Sequence, residues 1–265
     1  MEKVNILKGN SPLVLGFPHV GTWVPDNVFE CLNHRGKTLS DTDWHIEKLY
    51  EGLLSDVTSV SANFHRYVVD ANRDPSGISL YPGQNTTDLV PLTDFDGLGI
   101  WKHEPTKKEI DERTKDFHSV YHAALQRELN RIKSIHGFVV LYDCHSIRSV
   151  IPHLFKGILP DLNIGTNSGH SCDPVLPDRI ENICNQQVDY NYIFNGRFKV
   201  GWTTRYYGQP ETKVHAIQME IAQSAYLVYE NKDWKFDTKK SKRLRPVLSK
   251  ILSSLTQAAF KHGVN

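Results

Sequence analysis

Val139-Val140-Leu141-Tyr142-Asp143-Cys144-His145-Ser146 reads as a buried strand that ends in an acid and an imidazole. Four apolar or aromatic residues in a row, after the break at Gly137, fit a strand covered on both faces. Polarity then switches to Asp143, His145 and Ser146, with Arg148 close behind. A strand of this kind belongs to an α/β sheet, and in open α/β sheets ligands bind beyond the carboxyl ends of the strands. His145 is therefore a site candidate, although a lone histidine after a strand is just as ordinary in a loop or a core.

The same arrangement occurs earlier. Leu13-Val14-Leu15-Gly16-Phe17 is a short apolar strand that stops at Pro18-His19-Val20-Gly21, an imidazole between breakers. Ser40-Asp41-Thr42-Asp43-Trp44-His45 then suits a helix N-terminus, where carboxylates and hydroxyls accept orphan N–H bonds. Asp41 and Asp43 serve as caps on that reading; either could instead turn a carboxylate toward the histidines.

The chain as a whole narrows the function classes. Its 265 residues can bury a sizeable core, and no repeat or linker-like composition shift divides them, so one domain over 1–265 is the simplest organisation. A formal net charge of +1 gives no electrostatic case for nucleic acid or an anionic membrane. No apolar run approaches the roughly 20 residues of a membrane helix, and the N-terminus lacks a signal-peptide pattern. Cys31, Cys144, Cys172 and Cys184 have no Cys-x-x-Cys spacing and read as reduced thiols of a cytoplasmic protein.

The remaining segments supply scaffold and cations. Val57–Val60 and the β-branched centre of residues 66–74 read as strands, the latter bracketed by Arg66 and Arg73 with Asn72 beside the second. A guanidinium there could clamp a carboxylate with two hydrogen bonds. Residues 74–105 form a long loop with Tyr81, Phe95 and Trp101, packed and lid-like. Thr106-Lys107-Lys108-Glu109 has capping-box spacing and opens a helix that Gly137 ends. His118 and His122 lie one turn apart on it, as scaffold more than as a metal pair. Leu162–Thr166 is a strand running into a loop, and 177–187 a short helix. Residues 195–197 and 201–208 are glycine-rich turns carrying Arg197 and Arg205. Val214–Ala222 is the last strong strand, with Glu220 in an otherwise apolar setting. A partly buried glutamate has a raised pKa and suits proton transfer. The chain closes in a basic and then helical segment from Thr238.

Two histidines, a carboxylate and an open fourth position form the usual ligand set of a hydrolytic zinc site. Such a zinc polarises a carbonyl and acidifies water, and a separate glutamate moves the proton.

The motifs Pro18-His19-Val20-Gly21, Asp41-Thr42-Asp43-Trp44-His45, Arg66-Tyr67-Val68-Val69-Asp70-Ala71-Asn72-Arg73, Leu80-Tyr81-Pro82-Gly83-Gln84, Asp143-Cys144-His145-Ser146-Ile147-Arg148, Leu162-Asn163-Ile164-Gly165-Thr166, Asn195-Gly196-Arg197-Phe198 and His215-Ala216-Ile217-Gln218-Met219-Glu220 resemble, in order and over nearly the whole chain, the N-formylglutamate amidohydrolase family. Ala71 and Cys144 depart from the Leu and Ala of the family pattern, and neither is a proposed ligand. The resemblance implies a three-layer α/β/α fold with a central mixed sheet, akin to zinc carboxypeptidases and aspartoacylase. It implies a cytoplasmic hydrolase of histidine degradation that cuts N-formyl-L-glutamate to formate and L-glutamate, holds one Zn2+, and meets a small dicarboxylate but no nucleic acid or membrane. His19, Asp43 and His145 are then the metal ligands, with Asp41 the fallback carboxylate, and Glu220 is the general base. Arg73 with Asn72 holds one substrate carboxylate; Arg66, Arg148 and Arg205 compete for the other. The alternatives are a zinc amidohydrolase for another N-acyl acidic amino acid or a γ-glutamyl amide, a cysteine hydrolase using Cys144, and a non-catalytic dicarboxylate binder. The oligomeric state is left open.

Overall fold

The computed structural model describes residues 1–79, 81, 83 and 85–262, the last five of these by backbone alone. Its elements, in chain order, are β1 (Val4–Leu7), β2 (Leu13–Phe17), α1 (Asp26–Phe29), α2 (Ile46–Tyr50), β3 (Thr58–Ala62), α3 (Lys107–Arg113), α4 (Ser119–His136), β4 (Val139–Ile147), β5 (Leu162–Gly165), α5 (Val175–Asn185), β6 (Tyr192–Phe194), α6 (Trp202–Tyr207), β7 (Val214–Ala222) and α7 (Thr238–His262). The strands form one mixed sheet in the order β1-β3-β2-β4-β7-β5-β6. β3, β2, β4 and β7 run parallel, while β1 and β5 run antiparallel to their inner neighbours.

The sheet is covered on both faces, as the apolar run at 139–142 requires. Successive strand residues point to opposite faces. Val140, Tyr142 and Cys144 pack with Leu49 of α2, Ile180 of α5 and Leu248 of α7. Val139 and Leu141 pack with Tyr121 and Leu125 of α4 on the other side. The result is a three-layer α/β/α arrangement. No described helix is long and apolar enough to cross a membrane.

Four local expectations change. First, β4 does not end at Tyr142: all nine of its residues through Ile147 are buried strand, so Asp143 and His145 lie within it. Second, residues 66–74 are turns and not a strand. The Arg73 N–H bonds the Asp70 carbonyl, while His122 Nε2 and His118 Nε2 lie 2.7 and 3.0 Å from the carbonyls of Ala71 and Arg73. Those histidines take up carbonyls that a sheet ladder would have used, and they are scaffold. Third, the helix after Thr106 keeps its capping box and its Gly137 terminus but is broken by a π-helical turn at Thr114–His118. Fourth, residues 202–207 form α6. Its orphan N–H groups are met from far along the chain: Trp202 N–H by the Asn72 carbonyl at 3.3 Å and Thr203 N–H by Asn72 Oδ1 at 2.8 Å. Leu80, Pro82 and Gln84 of the 80–84 motif lie outside the described residues.

Candidate active site

The parallel strands β2, β4 and β7 deliver their carboxyl ends to one cavity, lined by His19, Asp43, Arg66, Asn72, Arg73, Phe95, His145, Arg197, Gln218 and Glu220 among others. His19 follows the end of β2. His145 stands in β4 directly opposite Glu220 of β7 in the parallel register. Asp43 arrives from the segment before α2, held by its N–H to the His19 carbonyl at 3.0 Å.

Two carboxylates orient the imidazoles. His19 Nε2 lies 2.7 Å from Asp70 Oδ1, and His145 Nε2 lies 3.1 Å from Asp143 Oδ2. An ionised carboxylate only accepts, so the Asp70 pairing puts the His19 ring proton on Nε2 and leaves its Nδ1 lone pair facing inward; Asp143 accepts likewise from His145 Nε2, and a bound cation would displace the second proton that His145 carries on Nδ1. Arg66 Nη2 donates to His19 Nδ1, in keeping with that tautomer. The two Nδ1 atoms are 3.2 Å apart, and Asp43 Oδ2 is 3.8 Å from that of His19 and 3.3 Å from that of His145. Ligands at zinc distances on a tetrahedron stand roughly 3.3 Å apart. His19, Asp43 and His145 thus form a buried group able to hold a metal ion. The surrounding charge also suits a dication: Asp43, Asp70, Asp143 and Glu220 converge on it.

Asp41 is not part of this triangle. Its Oδ2 accepts from Tyr67 OH and Phe95 N–H, each at 2.9 Å, and burial pushes its carboxyl up to about 7. Nor does Asp43 cap α2; its Oδ2 accepts the Ser146 N–H at 3.0 Å instead.

Burial and neighbouring charge set the titration of the site. Burial, and next Arg66, push His19 down to about 4 against the pull of Asp70 and Asp43. Burial also disfavours the His145 imidazolium, but Asp143, Asp43 and Glu220 outweigh it and hold that ring well above the usual histidine value. For Asp70, burial is outweighed by His19, Arg73 and Arg66, which keep the carboxylate well below its usual range. Burial lifts Glu220 to about 8, with His145 opposing.

The arginines divide into two groups. Arg66 is buried, lies with its guanidinium 5.0 Å from the Phe95 ring centroid, and lines the cavity. Arg73 lines it too, fixed by Thr87 O, Thr87 Oγ1 and Asn72 O at 2.8, 2.8 and 3.1 Å. Arg148 and Arg205 are not among the lining residues. Arg148 Nη2 donates to Asp96 Oδ1 at 2.8 Å, and Arg205 lies 5.2 Å over the Tyr81 ring. Asn72 joins metal group and cavity wall, its Nδ2 lying 3.1 Å from His145 Nε2. Gly201 packs so closely on that amide that a Cβ would collide with it.

Sequence reasoning left Asp70, Asp143, Gln218 and Arg197 without roles. Asp143 carried a signal: it lies two residues before His145, on the same face of the strand. Cys144 faces the other way, into the core, where burial pushes its thiol well up; it is no nucleophile for His145.

The sequence model of the N-formylglutamate amidohydrolase family matches residues 11–227. The N-formylglutamate deformylase of Pseudomonas putida is 39% identical over 259 residues, spanning 96% of each chain. That of Pseudomonas aeruginosa is 40% identical over 257 residues, again 96% of each. Among solved structures, an N-formylglutamate amidohydrolase from Ralstonia eutropha superimposes with a TM-score of 0.82 at 22% identity, covering 98% of this chain and 99% of that one. A gene product of Agrobacterium tumefaciens gives 0.74 at 16% identity, covering 97% and 96%.

Proposed function

The chain belongs to the N-formylglutamate amidohydrolase family and is a hydrolase of amide C–N bonds, and from that premise we propose that it converts N-formyl-L-glutamate and water to formate and L-glutamate. The observation that carries the mechanism is the convergence of two carboxylate-oriented Nδ1 atoms and Asp43 Oδ2 on one buried point. His19, His145 and Asp43 would hold a divalent cation there, zinc by the chemistry of the donor set. When bound, that ion supplies Lewis-acid polarisation of the formyl carbonyl and lowers the pKa of water.

The chain's own residues do the rest. Glu220 takes the proton of the attacking water and passes it to the leaving nitrogen. Asp70 and Asp143 hold the imidazoles in the required tautomer. Arg66, Asn72 and Arg73 bind and orient the anionic substrate on the cavity wall. The same proposal includes one domain across residues 1–265, kinship of fold with zinc carboxypeptidases and aspartoacylase, and a place in cytoplasmic histidine degradation; these rest on the family.

The test is turnover across N-formyl, N-acetyl and N-succinyl L-glutamate and a γ-glutamyl amide. The formyl substrate should lead the acetyl one by roughly 10- to 200-fold, the worth of one added carbon in a fitted pocket. An acyl group larger than formyl turning over faster would move the enzyme to a sibling activity.

A further inference from the structure

We propose that Arg197 binds the side-chain carboxylate of the substrate, in the same cavity as the Asn72–Arg73 pair that binds its α-carboxylate; this assignment rests on the function proposed above.

An N-formyl glutamate brings two carboxylates, and three arginines line the cavity: Arg66, Arg73 and Arg197. Arg66 stands 3.8 Å from Asp70 and packs on Phe95, so its charge is already met and it borders the bound substrate without anchoring the second carboxylate. Arg73 and Arg197 differ from it. Arg197 donates from Nε to the Leu154 carbonyl at 3.0 Å and from Nη2 to the Asn85 carbonyl at 2.9 Å. Both acceptors are neutral, and Arg197 Nη1 has no hydrogen-bond partner among the described residues. Arg73 likewise bonds only to neutral oxygens. Neither arginine is in an ion pair among the described residues, although Asp74 and Asp88 also line the cavity.

Two guanidiniums lining one cavity, steered by neutral oxygens but neutralised by nothing they touch, form a site for an anion. Burial holds Arg197 below the usual arginine value; Tyr81 opposes this and the Arg73 charge adds to it. The carbonyls fix the direction of each fork before substrate arrives, so little freedom is lost on binding.

Geometry then divides the two carboxylates. The α-carboxylate is one carbon from the scissile nitrogen and must sit beside the metal group. Asn72, 3.1 Å from His145 Nε2, is at that position with Arg73 next to it. Arg197 instead joins two loop segments, at Asn85 and Leu154, which leaves it the more distant γ-carboxylate.

The experiment compares kcat/KM for N-formyl-L-glutamate and N-formyl-L-glutamine in wild type, R197Q and R197K, with bound metal and circular dichroism recorded for each. Wild type should prefer the glutamate substrate by ~100-fold; R197Q should lose ~100-fold on it, mainly through KM, and stay within ~3-fold on the glutamine substrate. R197K should recover part of the preference, since it keeps the charge without the fork. A preference that survives in R197Q, or equal losses on both substrates in R197Q and R197K, would overturn the assignment. Should R197Q fail to fold, wild type and R197K still decide it: an active wild type indifferent between the two substrates, or an R197K with unreduced preference, overturns the role of Arg197 alone. A folded, metal-loaded wild type that releases formate from neither substrate would overturn the proposed function itself.

Discussion

His145 and Glu220 are paired residues of adjacent parallel strands, β4 and β7, and both line the same cavity. The register sets Glu220 next to the His19–Asp43–His145 group without any loop, inside the sheet. It predicts that Glu220→Gln, nearly isosteric, keeps metal and fold while formate release falls by ~10²–10⁴-fold, the usual worth of a positioned general base. Metal content and turnover measured on the same preparation check this; a variant with near-normal turnover would remove Glu220 from the mechanism.

Asp70 and Asp143 contact His19 and His145, and under the proposed mechanism they act on the metal through those rings. Asp70→Asn and Asp143→Asn should each weaken metal affinity by roughly 10- to 100-fold. Competition with a chromophoric chelator reads this directly. Unchanged affinity in both would mean that the imidazole tautomers are set by something else.

Asp41 and Asp43, both plausible from sequence, should separate cleanly. Asp43→Asn should lose most of the bound metal, since it removes a charged ligand. Asp41→Asn should retain it, because Asp41 is occupied with Tyr67 and the Phe95 N–H. Metal analysis of the two purified variants gives the answer, and the reverse pattern would make Asp41 the ligand.

His122 is buried, and burial first and His118 second push it down from 6.5 to about 3. Below about pH 6.5 the unfolded chain therefore binds a proton that the folded protein refuses. Stability should fall as pH drops from 6.5 toward 3, by about 1.4 kcal/mol per pH unit for this group. Denaturant unfolding at pH 7, 6 and 5 should show a shallower slope for His122→Gln than for wild type. Equal slopes would mean that His122 is protonated in the folded state.

What was legible in the chain was mostly local. The apolar runs at 13–17 and 139–142 gave β2 and β4 because buried parallel strands are continuous apolar stretches, and the alternating pattern of 214–222 gave β7. The motifs around His19, Asp43, His145 and Glu220 marked residues that the fold brings to one cavity. What stayed illegible depends on partners distant in sequence. The β-branched residues near Val68 look like strand, yet His118 and His122 of a later helical segment take their neighbours' carbonyls. The glycine-rich stretch at 201–208 looks like turn, yet Asn72 supplies the cap that lets it be helix. Arg148 follows a strand end, as a substrate anchor would, but turns to Asp96. Asp143 and His145 look like the end of a strand because their polarity suggests solvent; the strand continues because each finds a buried partner.

Amide hydrolysis, on the proposed mechanism, depends on a cation held by His19, Asp43 and His145. The most direct test is formate release from N-formyl-L-glutamate by protein stripped with a chelator and then given one equivalent of zinc. Formate release should disappear on stripping and return with that single equivalent. Folded, metal-free protein that still releases formate at the undiminished rate would contradict it.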